Sequence, residues 1–256
     1  MITITFDAVL SYLLVFVRMS GMLFLNPVLS RRNVPAQIRI ALVLVLTMVI
    51  APSVAIENPN GMDGFGMIGA LLTEFLVGAV CAAVFQLFYY MLFFAGDLMD
   101  VEFGLSMAKI FDPGSSVQLS LSSSLLSVVF SLYLFVTDSH LLILRLLIAS
   151  YRIVPAGMAR ITAQTSGFYL GLFSDVFSLA VRLTLPFVAA LFVTEIAMGI
   201  LMKLVPQIHV FVISIQVKIT MGLVLLFLFA GPVTAFMDNY IVILLQSMEK
   251  IMHAMA

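Results

Sequence analysis

Tryptophan is absent from this sequence, cysteine occurs once, and only 10% of the 256 residues are charged. Each shortage excludes something. Without Trp the strongest interfacial anchor of a membrane protein is missing, so Tyr and Phe would have to take that place. A single Cys81 excludes an internal disulfide; within the apolar stretch from Gly78 to Phe85 it reads as a small core residue. The shortage of charge excludes a water-soluble particle of this size, because soluble domains carry about a quarter charged residues. With 63% hydrophobic residues and a mean hydropathy of +1.20, the apolar surface must meet lipid or other membrane helices. That leaves no room for a soluble catalytic domain. A net charge of -1 provides no basic field for nucleic acid. Met1 to Asp7 lacks the positive segment of a cleavable signal, so the first apolar run is expected to be a retained helix.

What is present is a series of apolar runs, and a spanning helix needs about 20 such residues. The first runs from Ala8 to Asn26, with Arg18 in its middle and Pro27 at its end. Arg31, Arg32 and Arg39 cluster around Pro35 before a second run, Ile40 to Ile50, that stops at Ala51-Pro52. A third, Met67 to Ala95, is long enough to tilt or to project from the bilayer. The least apolar stretch, Gly96 to Ser124, carries Asp97, Asp100, Glu102, Lys109 and Asp112, then Pro113-Gly114 and a Ser-rich tract. Leu125 to Val136 follows. The run Leu141 to Ala149 is too short to span upright and reads as a re-entrant or broken helix. A further run, Phe168 to Met202, contains Pro186, which should kink it. After a polar turn at Lys203 to His209, the last run covers Val210 to Ala230, and Val233 onward is a mixed amphipathic tail. The fold class expected is all-α: an integral membrane protein of long, kinked helices in a single membrane domain. The positive-inside rule puts the Arg31/Arg32/Arg39 loop in the cytoplasm and the N-terminus outside.

Familiar chemical motifs fail on context. Gly64, Gly66 and Gly69 spell G-x-G-x-x-G, but after an Asn/Pro/Gly loop and before a membrane helix, not inside a strand–helix–strand unit. His140, His209 and His253 lie far apart, without Cys or His at ligand spacing. No phosphate-binding loop, zinc-protease motif or nucleophile elbow is present, so an enzyme is not expected. Charges inside apolar runs say more, because each is costly in hydrocarbon. They are Arg18, Glu74, Asp175, Arg182, Glu195 and Lys218. Asp175 and Arg182 share one helix face, since seven residues rotate a helix by roughly 700°. Such charges either line a polar pathway or act as buried polar contacts between helices; pairing is the preferred reading for so short a chain. Gly167-x-x-x-Gly171, followed by Ser174 and Ser178, allows close helix approach. The stretch Ser106 to Ser115 combines a helix stop, a turn and apolar residues between two membrane runs. It is either a plain surface turn or a plug lining a cavity, since irregular backbone at membrane depth must be covered by protein or line one.

Four segments occur in an order that resembles the FliR family of flagellar biosynthetic proteins, with its type III secretion relatives of SctT type. They are Asn26-Pro27-Val28-Leu29-Ser30 leading to Val34-Pro35; Ile50-Ala51-Pro52; Gly104-Leu105-Ser106 leading to Phe111-Asp112-Pro113-Gly114-Ser115; and Pro206-Gln207 with Phe211-Val212-Ile213. The likeness extends over essentially the whole chain. It implies a structural and gating subunit of a flagellar export gate in the bacterial inner membrane, within the flagellar basal body, passing unfolded flagellar subunits and needing no cofactor. It also implies assembly with FliP-like and FliQ-like subunits, in membrane lipid, alongside FlhB-like and FlhA-like components. By the same analogy, residues 1–165 form a FliP-like half and 166–256 a FliQ-like hairpin and tail, the hairpin at Ser174 to Ala230. Its cytoplasmic tip would hold Lys203, Pro206 and Gln207. Carried over by position, the resemblance implies that the channel plug is Met107, Ala108, Lys109, Ile110, Phe111, Asp112, Pro113 and Gly114. The rival from another class is a secondary transporter coupling through Asp175, Arg182 and Glu195.

Overall fold

A computed structural model describes residues 6–29, 34–54, 64–107, 120–160, 162–205 and 210–256. The described residues form eight α-helices, one 3₁₀ turn and no strand. They are α1 (Phe6–Phe24), α2 (Ala36–Ile50) with the turn Ala51–Ser53, α3 (Gly64–Glu102), α4 (Leu121–Val136), α5 (Ser139–Ile153), α6 (Ala163–Leu204), α7 (Val210–Leu228) and α8 (Ala230–His253). The protein is therefore all-α, as its run pattern predicts.

Local chemistry sets the boundaries. Pro35, at φ -56° and ψ 142°, precedes α2 in an extended conformation, where its missing N–H is no loss. The apolar stretch after Ser120 breaks at Thr137-Asp138, where Asp138 takes a left-handed φ of 56°. That break is the one anticipated for the short Leu141 run. α3 and α6 hold 39 and 42 residues, about 58 and 63 Å at 1.5 Å per residue, against an apolar bilayer core of about 30 Å. α6 runs on as a helix through Pro186.

Three segments are long and apolar enough to cross a membrane, or five if each of two bent helix pairs counts as one. In an 18-residue apolar stretch of each, only 22%, 44% and 33% of the residues are buried by the chain itself, which leaves apolar side chains open to lipid or to neighbouring helices. The chain is a membrane-embedded helical protein.

Two compact units make up the chain. The first comprises residues 1–88, 134–173 and 241–256. Leu10, Leu14, Ala70 and Ala156 form a buried cluster there, with Val54, Met67 and Leu71 against it. The glycines of α1 and α3 set the crossing of these helices: a Cβ on Gly21 would strike the Phe75 carbonyl, and one on Gly78 the Arg18 carbonyl. The amphipathic tail read from the sequence is here an ordered helix end. Ile241, Leu244, Met248, Ile251, Met252 and Met255 are buried at helical spacing. The tail is held by Arg160 N–H on the Met255 carbonyl (3.0 Å) and Thr165 Oγ1 on that of Ala254 (3.0 Å).

The second unit, residues 89–133 and 174–240, is aromatic. Phe103 packs on Phe187 and Phe187 on Phe229, with centroids 6.2 and 5.3 Å apart. Phe130 meets Tyr240 edge-on. Gly222 leaves the space that the Phe103 ring fills.

Candidate functional site

Of the plug segment, Met107 is described and Ala108 to Gly114 lie outside the described residues. The two stems that carry the segment belong to the second unit. On one side α3 stops after Glu102. Phe103 is fully buried and its N–H still bonds the Met99 carbonyl (2.8 Å). Gly104 then turns to φ +76°, a conformation that L side chains rarely adopt. Met107 N–H reaches the Gly104 carbonyl (3.1 Å), and the Met107 side chain is 39% exposed.

On the other side Ser120 caps α4. Its Oγ accepts from Ser123 N–H (3.1 Å), and its carbonyl accepts from Ser124 N–H (3.0 Å). The same hydroxyl donates to Oδ2 of Asp100 (2.6 Å), whose Oδ1 accepts from Ser122 N–H (3.2 Å). Asp100 is 2% exposed, so a carboxylate buried in α3 meets the positive end of α4. Ser123 Oγ donates to the Phe93 carbonyl (2.7 Å) and lies 3.3 Å from Asp97 Oδ1. Gly96 permits this approach, because a Cβ there would overlap the Ser123 backbone.

The charges inside apolar runs divide into three cases. In the first unit Arg18 and Glu74 pair through two contacts, Nε to Oε2 at 2.6 Å and Nη2 to Oε1 at 2.9 Å. Arg18 also donates from Nη1 to Ser150 Oγ (3.1 Å) and from Nη2 to the Val154 carbonyl (3.0 Å). Its guanidinium carbon lies 4.0 Å from the Tyr151 ring centroid, a cation–π contact. Glu74 Oε1 accepts in addition from Gly157 N–H (2.8 Å). One ion pair thus joins α1, α3, α5 and the connector after α5. In the second unit Lys218 of α7 pairs with Glu195 of α6, at 19% and 45% side-chain exposure. Asp175 and Arg182 are both exposed on α6 and make no ion pair among the described residues. At the hairpin tip Lys203 is exposed in the last turn of α6, whereas Pro206 and Gln207 lie outside the described residues.

Sequence reading missed Asp100 as a partner of Ser120, and Ser150, Tyr151 and Gly157 as partners of Arg18 and Glu74. Periodicity links residues within one helix, and these contacts join different elements. Among the described residues no three His, Cys, Asp or Glu side chains come together as metal ligands would.

The model of a family described as bacterial export proteins, family 1, matches residues 9–242. The chain belongs to that family. Among its relatives it is similar to the flagellar biosynthetic protein FliR of Caulobacter vibrioides, 27% identical over 89% of this chain and 91% of that protein. It is likewise similar to FliR of Escherichia coli, 26% identical over 88% of each. A third relative is the Yop proteins translocation protein T of Yersinia pestis, 25% identical over 86% of this chain and 85% of that one. The small-molecule transporter reading finds no support among these relatives. As a bacterial export protein the chain works beside other export components.

Proposed function

We propose that this export protein is a structural and gating subunit of the flagellar type III export gate. It helps form the channel by which unfolded flagellar subunits cross the bacterial inner membrane at the basal body. The observation that carries this reading is the match to FliR proteins over about nine-tenths of both chains. Its partners are FliP-like and FliQ-like subunits, with FlhB-like and FlhA-like components at the same gate. Residues 1–165 act as the FliP-like half and 166–256 as the FliQ-like hairpin, whose tip at Lys203, Pro206 and Gln207 points to the cytoplasm. The exposed apolar surface of the three spans supports such an assembly, because lipid and neighbouring helices are what can cover it. Arg18, Glu74, Asp175, Arg182, Glu195 and Lys218 serve as polar helix contacts, Asp175 and Arg182 of them toward the assembly.

The role is structural, not catalytic. Met107 to Gly114 closes the channel, with Ile110 and Phe111 as the apolar block and Pro113-Gly114 as the bend that lets it swing. The stems support this reading: Phe103 and Gly104 fix the end of α3 before the segment, and Ser120 fixes the start of α4 after it. Deleting Ile110 to Gly114 in the assembled complex should raise ion leak across the membrane while FliP-like and FliQ-like chains still co-purify. An intact complex with no added leak would rule out the plug, and a chain that purifies alone would rule out the gate subunit.

A further inference from the structure

We infer that Asp100 is a positioning residue that locks the start of α4 onto the end of α3 and so fixes the spacing of the two stems. Five observations converge on it. The carboxylate is 2% exposed although it sits in an apolar helix, where an ionisable group is retained only with partners. Both of its oxygens are used, one by the Ser120 hydroxyl at 2.6 Å and the other by the Ser122 amide at 3.2 Å. The Ser120 hydroxyl closes the loop by accepting from Ser123 N–H at 3.1 Å, so two of the free amides at the start of α4 are satisfied, one by Asp100 and one by Ser120. One turn earlier in α3, Gly96 clears the path for the Ser123 backbone, and Ser123 Oγ ties back to the Phe93 carbonyl at 2.7 Å. Asp100 lies four residues before Gly104, where α3 ends in a left-handed turn. A single carboxylate therefore couples the exit of α3 to the entry of α4. An Asn preserves an acceptor oxygen there; an Ala preserves none.

The anchor concerns described residues alone. It rests on the proposed channel-closing role of Met107 to Gly114 only where leak is read. The test places spin labels at Val101 and Leu121, 60% and 55% exposed, in a Cys81→Ala background of the assembled export complex, and measures their distance distribution. Asp100→Ala should broaden and lengthen it, because losing two charge-assisted bonds raises the detached population by about tenfold or more. Asp100→Asn, which keeps one acceptor oxygen and loses the other, should fall between the parent and Asp100→Ala. An unchanged distribution in Asp100→Ala overturns the anchor, and Asp100→Asn as broad as Asp100→Ala overturns its hydrogen-bond basis. If Asp100→Ala fails to accumulate, Ser120→Ala is read in its place, with broadening expected and no change fatal. Ion leak on the same samples separates the two ideas. Broadening with added leak supports both. Broadening without leak keeps the anchor and sinks channel closure, and leak without broadening sinks the anchor.

Discussion

In the first unit Arg18 and Glu74 meet at 1% and 0% exposure, with Ser150, Val154, Gly157 and Tyr151 completing their surroundings. In the second, Lys218 and Glu195 meet at 19% and 45%, and Asp175 and Arg182 stand exposed on the same helix as Glu195. All six charges interrupt apolar helices, yet the first unit buries its pair completely, whereas the second pairs Lys218 with a half-exposed Glu195 and leaves Asp175 and Arg182 at the surface. Desolvation explains why the two arrangements serve different ends. A buried pair is tolerable only if its remaining donors and acceptors are also bonded, which requires several elements of the same chain to converge. That convergence specifies a fold. A charge left at the surface of a membrane helix is satisfied from outside, by a neighbouring subunit or by headgroups. That arrangement specifies an assembly.

The comparison breaks most decisively at Glu74. Replacing it with Ala leaves the Arg18 guanidinium buried with neither carboxylate oxygen to meet it, and also orphans the Gly157 amide. Removing one partner of a buried pair costs about 3–5 kcal/mol. Glu74→Ala should therefore lower the thermal midpoint of the detergent-solubilised complex by several degrees and reduce chain accumulation. The double variant Arg18→Met/Glu74→Met should recover much of the loss, since apolar side chains of similar volume can replace a buried pair. A double variant as unstable as the single one would show that the hydrogen bonds to Ser150, Val154 and Gly157, and not the unpaired charge, carry the effect.

A smaller effect is expected in the second unit. Lys218→Ala removes an ion pair of which one member is nearly half exposed, and such pairs contribute about 0.2–1 kcal/mol. Asp175→Ala and Arg182→Ala should change the thermal stability of the isolated chain by less than about 0.5 kcal/mol. Their effect should fall instead on co-purification of partner chains. Pull-down yield measured beside a melting curve separates the two: a large shift in midpoint with unchanged yield would reverse the assignment of these charges to assembly.

How far the sequence carries this contrast depends on the range of each interaction. The apolar runs located the helices, although α3 continues past Ala95 to Glu102, into the stretch read as least apolar, and the break before the Leu141 run was visible in its length alone. The charges were visible too, because an Arg or Glu in an apolar run stands out without any structure. Their partners were not. Ser150 and Gly157 are unremarkable in sequence, and Asp100 meets Ser120 across the end of one helix and the start of the next. The α8 pattern was readable in principle: Ile241, Leu244, Met248, Ile251 and Met255 recur at helical spacing, but Gln246, Glu249, Lys250 and His253 between them gave the stretch the composition of a tail. The glycine contacts at Gly21, Gly78 and Gly96 lay furthest from reach. A glycine needed for close approach has the same letter as one facing open space, such as Gly167 or Gly171.

The smallest effects concern one hydroxyl in each unit. Tyr151 Oη beside the Arg18 pair and Ser122 Oγ beside Asp100 are both buried and make no hydrogen bond among the described residues. The Tyr151 ring, by contrast, lies against the guanidinium, and the Ser122 amide is bonded to Asp100. Tyr151→Phe keeps the ring and removes only the orphaned hydroxyl, and Ser122→Ala keeps the amide and removes only the orphaned side chain. A buried donor without a partner costs about 1–3 kcal/mol of desolvation, so removing it should leave stability unchanged or slightly raised. Tyr151→Leu, which also deletes the π face, should instead lose about 0.5–2 kcal/mol. Melting curves of the three variants check this directly. A clear loss in Tyr151→Phe would mean that its hydroxyl is bonded in the assembled complex, and the first unit would then depend on its neighbours as the second does.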